Sequence, residues 1–524
     1  MNSTPTSDTS GTPGTPASHT SGTSGTSAYD TIVVGGGSAG AVLAARLTED
    51  PDRAVLLLEA GPAYEPEGYP EAVASSSVLG GWTGHDWGYQ SEPGFIGHPV
   101  AAFRGKVLGG SSAVNGSVAV RALPSDFARW SEAGLEGWSY EELLPAFKAL
   151  ESTAAGEDAL HGRTGPLPVT QLGLDDVSPM QRAFVDAALA EGIRPVEDFN
   201  GTDPHGVGPY PMNVRDGIRV NTGMAYLTEA VRARPNLTVR AGTLVDRVLL
   251  TDGRATGVLL ADGTELAAEQ VILSAGAYGS AAILLRSGVG PAEDLEALGI
   301  PLVADLPVGL RLQDHPFYYN AYAADPDRIG AQTPVIGAKV WTATAGAPDG
   351  DLDLHITATH LFDHATSPTG VGFVLAVALV RPRSQGTLTL TSRDPEDAPR
   401  IDLNFLAEPA DRRRLVEGIR LARRLGAAQP LAALTAGELN PGPQAVEEAD
   451  IEASMLATLD TYHHPTSTAP MGADDDPTAV TDRLGAVRGV PGLRVVDASI
   501  FPDVPSAATN LTVIAAAEHI ARQI

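Results

Sequence analysis

Gly35, Gly37 and Gly40 give the run Gly35-Gly36-Gly37-Ser38-Ala39-Gly40 the G-x-G-x-x-G spacing that binds a pyrophosphate. The first glycine permits a tight turn, the second lets the phosphates approach the backbone, and the third lets a helix pack close to a strand. A second group follows in Glu59, 19 residues after Gly40, where a carboxylate can accept hydrogen bonds from ribose hydroxyls. An acid at that place disfavours a 2′-phosphate, so NADP fits least, and NAD and FAD both remain open.

The flanking residues are those that would position these groups. Tyr29 to Val34 is a short β-branched run that reads as a buried parallel strand, Ala41 to Leu47 continues as a helix, and Ala54 to Leu58 reads as the next strand, ending at Glu59. A second glycine cluster, Gly105 to Gly116, lacks the Lys-Ser/Thr ending of a triphosphate-binding loop and reads as another close approach of backbone to ligand. Gln270 to Ala277 again reads as a strand ending in small residues, with a helix over Tyr278 to Arg286. Leu237 to Arg240 and Thr243 to Leu250 alternate like strands, and Asp252-Gly253 and Asp262-Gly263 supply hairpin turns. This central stretch belongs with the nucleotide-binding unit although it lies some 200 residues away from it.

Composition narrows the function classes. A chain of 524 residues, 43% apolar and 19% charged, predicts two or three packed units. With 35 Lys and Arg against 64 Asp and Glu, the net charge of −29 opposes nucleic acid and anionic lipid. No apolar run is long enough to span a bilayer. The absence of cysteine excludes disulfides, thiolate nucleophiles and cysteine-ligated metal centres, which leaves redox chemistry to an organic cofactor. His85, His98, His161, His205, His355, His360 and His364 lack metal-ligand spacing, and the i, i+4 pair His360 and His364 lacks the glutamate of H-E-x-x-H, so no metal is expected. In the first 27 residues, 22 are Ser, Thr, Gly or Pro, which reads as a flexible tail without a signal peptide and suggests a cytoplasmic protein.

Several longer stretches together resemble the glucose–methanol–choline (GMC) oxidoreductases. Gly105-Lys106-Val107-Leu108-Gly109-Gly110-Ser111-Ser112-Ala113-Val114-Asn115 is similar to that family's first signature, and Gly276 to Gly290 to its second, with Ala281 where proline or serine is usual. Val308-Gly309 with Leu312-Gln313-Asp314-His315, Asp497-Ala498-Ser499, and Thr509-Asn510-Leu511-Thr512 are also similar to family landmarks, and all occur in the family's order.

The resemblance implies an α/β fold, α+β overall, in which a Rossmann-like FAD-binding domain of the glutathione-reductase type carries an inserted substrate domain built on an antiparallel sheet. Residues 28–154, 226–314 and 463–524 would form the FAD domain. Residues 155–225 and 315–462 would form the substrate side, with strands over Leu352 to Ala358 and Gly372 to Val380. The cofactor implied is FAD, held non-covalently, because Val114 stands where choline oxidases carry the attaching histidine. Its expected contacts are Gly35, Gly37, Ser38, Ala39, Gly40, Glu59, Ala60, Val107, Gly109, Gly110, Asn115, Gly116, Ser117, Val118, Val245, Ala275, Asp497, Ala498, Asn510 and Thr512.

Tyr462-His463-His464-Pro465 resembles the family segment whose histidine before proline is the catalytic base, which puts that role on His464. Asn510 occupies the family's second catalytic position, where an amide would orient the alcohol without taking its proton, and a helix over Leu511 to Gln523 would follow. The reaction implied is oxidation of an alcohol to an aldehyde or ketone, with oxygen or a separate acceptor reoxidising the flavin. Family members that are hydroxynitrile lyases or photodecarboxylases supply the alternative. Phe317, Tyr318 and His463 are the expected substrate-pocket residues. In an extended segment His463 and His464 would point to opposite faces. Phe317 and His463 replace the glutamate and the aromatic of choline oxidases, which turns the expectation from choline towards benzylic, furanic or aliphatic alcohols. Tyr462, bulkier than the valine of some oxidases, would obstruct oxygen and favour a dehydrogenase.

Overall fold

The computed structural model describes residues 29–347 and 351–524, so the segment 1–27, read as a flexible tail, lies outside the described residues. Two seven-stranded sheets organise the chain. The first runs in the order Leu237–Arg240, Val55–Leu58, Tyr29–Val34, Glu265–Leu273, Arg254–Leu260, Val245–Thr251, with Leu493–Val495 paired to Glu265–Leu273 off this path. The apolar run Ile32 to Val34 is almost fully buried, as expected of a parallel strand covered on both faces.

Strand Glu265–Leu273 changes partners along its length. Its first half pairs antiparallel with Arg254–Leu260, while its second half lies parallel to Tyr29–Val34 on one side and to Leu493–Val495 on the other. The expected hairpin turn at Asp252-Gly253 is present, both residues having positive φ, at 51° and 78°. Leu237–Arg240 is instead an edge strand parallel to Val55–Leu58 and takes no part in a hairpin.

The second sheet is antiparallel throughout its main path, in the order Thr435–Asn440, Pro316–Ala324, Gly372–Leu379, Leu354–Thr359, Ile336–Thr342, Gly206–Pro209. Helix Pro409–Ala427 packs on one face, where Gly418 leaves room only for Leu354 and Val377. The other face carries Phe317, Tyr319, Ala321 and Val374 towards a cavity shared with the first sheet. No helix among the described residues is long and apolar enough to cross a membrane.

Candidate active site

A cavity of about 670 Å³ runs from the glycine turn at Gly35 to the inner face of the second sheet. At the turn, Gly35 has φ 96°, and a side chain there would collide with the carbonyl of Ser274. A Cβ on Gly110 would stand 2.7 Å from Cα of Gly37, so the two glycine clusters meet backbone to backbone. Of the expected cofactor residues, Gly35, Gly37, Ser38, Ala39, Glu59, Ala60, Gly110, Asn115, Gly116, Val118, Val245, Ala275, Asp497, Ala498 and Asn510 line this cavity.

Five others stand behind the wall. Gly40 is pressed against the carbonyl of Gly35, Gly109 against the side chain of Asn221, and Val107 is buried beside Tyr69 and Val73. Ser117 is buried in a left-handed turn at φ 58°, and the Thr512 hydroxyl accepts a bond from the Ala122 N–H at 3.3 Å. They pack directly behind the loops that line the cavity.

The carboxylates are held in the manner of a nucleotide site. Glu59 accepts the N–H of Gly36 at 2.9 Å and of Gly61 at 2.8 Å, while burial pushes its carboxyl up to about 7. Asp497 accepts the N–H of Gly276 and the hydroxyl of Ser280 at 2.9 and 2.6 Å, and burial raises it too. One of the residues lining this space carries a buried donor without a partner: Oδ1 of Asn510 takes the hydroxyl of Ser38 at 2.8 Å, whereas its Nδ2 has none. Packed glycines, a carboxylate where ribose would sit and an unsatisfied amide donor all fit FAD, whose contacts would fall on these residues. Helix Thr509–Ala521 begins at this point, so its positive end faces the same cavity.

At the far end stands His464. Its backbone N–H donates to Asp314 at 2.7 Å, and its ring Nδ1 meets Nδ1 of His315 at 3.0 Å. Asp314 also takes the His315 N–H and the Thr461 hydroxyl, each at 2.7 Å, and burial lifts its carboxyl to about 6. Burial first, then the charges of His315, Arg104 and His463, hold His464 well below the ordinary imidazole range. Its ring is therefore neutral at pH 7 and free to accept a proton.

Two pocket expectations change. His463 has φ 65°, so the segment is not extended there, and His463 and His464 both line the cavity instead of pointing apart. Arg104 holds this turn by donating to the His463 carbonyl at 2.6 Å. Tyr318 does not line the cavity: strand alternation sends it to the opposite face, fully buried, with its hydroxyl 2.9 Å from Ser454. Tyr319 and Phe317 share the cavity face, with ring centroids 5.0 Å apart, and Tyr462 stacks on Phe317 at 4.3 Å. Tyr319, an aromatic pocket candidate of the sequence, completes this wall with Arg104 and Asp460, which sequence reading did not single out. The period-two pattern of Pro316–Ala324 could have exchanged Tyr318 for Tyr319; nothing in sequence pointed to Arg104 or Asp460. Among the described residues no cluster of three or more metal-ligating side chains occurs.

A dinucleotide cradle joined to a histidine and an amide is the layout of an FAD-dependent oxidoreductase. Two profiles of one family, described as GMC oxidoreductase, match residues 29–317 and 382–517, and the chain belongs to that family. It is 36% identical to an oxygen-dependent choline dehydrogenase of Vibrio vulnificus over 94% of this chain and 93% of the relative. Mouse mitochondrial choline dehydrogenase is 38% identical, over 94% of this chain and 89% of the relative. The crystal structure of pyridoxine 4-oxidase from Mesorbium loti superimposes with a TM-score of 0.86 at 34% identity, covering 94% of this chain and 99% of that one. The protein is thus an FAD-dependent enzyme acting on CH–OH donors.

Proposed function

We propose that this enzyme oxidises primary alcohols with an apolar or aromatic body, with His464 as the base and Asn510 as the group that orients the hydroxyl. The observation that carries the reading is that one cavity is lined both by the neutral imidazole of His464 and by Asn510, which stands beside the glycine cradle with its amide donor unpaired. Asn510 would donate from Nδ2 to the alcohol oxygen, and His464 would take the hydroxyl proton. Bound FAD supplies the two-electron acceptor for the carbon-bound hydride. Phe317, Tyr319, Tyr462 and Val374 form an apolar wall that excludes water from the reacting alcohol.

Asn510→Ala is expected to weaken alcohol binding and to slow flavin reduction less than loss of the base does, because the amide moves no proton. Stopped-flow reduction against alcohol concentration separates the two effects; an unchanged binding constant would remove Asn510 from the substrate's contacts. The Ser38 hydroxyl that now donates to Oδ1 would lose its acceptor, so FAD content must be measured alongside.

A second reading, a cationic amino alcohol, rests on Asp460. This half-buried carboxyl lines the same wall beside Phe317, its cross-strand neighbour, and makes no ion pair among the described residues. A carboxylate among aromatic rings is the chemistry that takes an ammonium group. The test is anaerobic bleaching of the bound flavin by aromatic alcohols, aliphatic alcohols and choline, followed by air. Bleaching by neutral aromatic alcohols supports the first reading and bleaching by choline alone the second, while a flavin that no alcohol bleaches sinks both. Tyr462, 4.5 Å from the ring of His464, crowds the reaction end, and slow return of colour in air is expected of a dehydrogenase.

A further inference from the structure

His315 is fully buried, immediately precedes strand Pro316–Ala324, and has no part in the reaction as described so far. Its ring stands nearly perpendicular to that of His464, at 84°, and the two facing atoms are both Nδ1, 3.0 Å apart. A hydrogen bond between two imidazole nitrogens needs one N–H and one lone pair, so a single tautomer of each ring satisfies it. The choice decides the chemistry. If His315 donated, His464 would carry its own hydrogen on Nε2 and present no base to the cavity. If His464 donates from Nδ1, its Nε2 is a lone pair.

The role of His464 makes the choice. A base must carry its lone pair on the nitrogen left free to meet the alcohol, and Nδ1 of His464 is taken by His315. His464 then donates from Nδ1, and His315 holds a lone pair on Nδ1 and its hydrogen on Nε2, which is buried with no hydrogen-bond partner among the described residues.

We propose that His315 fixes the tautomer of His464, obliging it to donate from Nδ1 and to present the lone pair of Nε2 to the alcohol. His315 is a positioning residue, and this role rests on the assignment of His464 as base. When the alcohol O–H bond breaks, the proton forms an N–H bond at Nε2 of His464, and Nδ1–H continues to donate to His315. The proton stays on His464, and the acceptor on His315 stabilises the imidazolium.

Charged and titratable groups surround the pair from every side. Arg104 and His463 oppose a positive charge on His464, as does His355 from strand Leu354–Thr359, whose Nε2 lies 3.5 Å from the buried amine of Lys339. Asp314 receives the backbone N–H of both histidines, and Asp126 from helix Pro124–Glu132 favours a proton on His315.

The test compares His315→Leu, which removes the acceptor, with His315→Asn, whose Oδ1 can take the place of Nδ1. Nitrogen-15 NMR of holoenzyme labelled in its histidine rings reads the tautomer directly, the His464 signals being identified by their loss in His464→Ala. Expected are an unprotonated Nε2 on His464 in the parent and in His315→Asn, and mixed tautomers in His315→Leu. Anaerobic flavin reduction by alcohol should fall about 10-fold or more in His315→Leu and recover in His315→Asn, with alcohol affinity little changed and the acid limb of the pH profile displaced only in the leucine variant. A parent His464 protonated at Nε2 would overturn the proposal, and so would equal losses in the two variants, which would mark a packing role. Should no alcohol reduce the parent's flavin while the NMR result stands, the tautomer assignment survives and the role of His464 as base does not.

Discussion

His464→Ala is expected to slow alcohol-driven bleaching of the flavin by about 10²-fold or more, the usual cost of losing a general base, while FAD remains bound. Retention of FAD follows from where the histidine is anchored. Its contact with Asp314 is made by the backbone N–H, which alanine keeps, and the cradle at Gly35, Gly110 and Glu59 lies at the other end of the cavity. Because burial and Arg104 hold the imidazole well below its ordinary 6.5, the parent's reduction rate should be level through neutral pH and fall only as pH drops below 6.5 through the depressed value. The variant should lose that acid limb and regain part of its rate with added imidazole. Near-normal reduction by the variant would remove His464 from the chemistry.

Glu59→Gln has the other large effect, on the cofactor. The folded protein holds this carboxyl at about 7 against an ordinary 4.5, so without FAD it favours the protonated form. A group whose pKa is raised on folding contributes stability that is complete below about 4.5 and is lost as pH rises through about 7, on the order of 3 kcal/mol in all. Flavin-stripped parent should therefore lose melting temperature between pH 5 and pH 8, and stripped Glu59→Gln should lose less. The amide keeps only one of the two backbone N–H acceptances, from Gly36 or Gly61, so the variant starts from a lower value at pH 5. FAD binding should weaken about 10-fold or more at pH 8, because ribose hydroxyls lose a charged acceptor. Equal pH dependence in the two stripped proteins would show that Glu59 is not the buried acid described.

Much of the cofactor end was legible because glycine turns obey local rules. Gly35, Gly37 and Glu59 could be placed from spacing alone, since a strand, a tight turn and a helix leave one arrangement of backbone donors. The helix over Tyr278 to Arg286 and the hairpin at Asp252-Gly253 were equally local. At the substrate end long-range packing intervenes. Tyr318 and Tyr319 differ by one step of a strand, and only the pairing of Pro316–Ala324 with its neighbours tells which faces the cavity. His463 follows extended residues and yet turns left-handed, held by Arg104 from 359 residues away, so its direction could not be read from its neighbours. His315 was visible as part of a motif, but its contact with His464 spans 149 residues and belongs to tertiary structure.

The partner exchange of strand Glu265–Leu273 governs when this protein can acquire its cofactor during synthesis. Leu493–Val495 closes one side of that strand, and helix Thr509–Ala521 supplies Asn510 and the last wall of the cradle. A chain emerging from the ribosome therefore displays its glycine turn long before Leu493–Val495 and helix Thr509–Ala521 can follow to enclose a flavin. Through that interval the edge of Glu265–Leu273 that Leu493–Val495 will cover is open to wrong partners, so supply of FAD acts on the closure of the fold and not on its beginning.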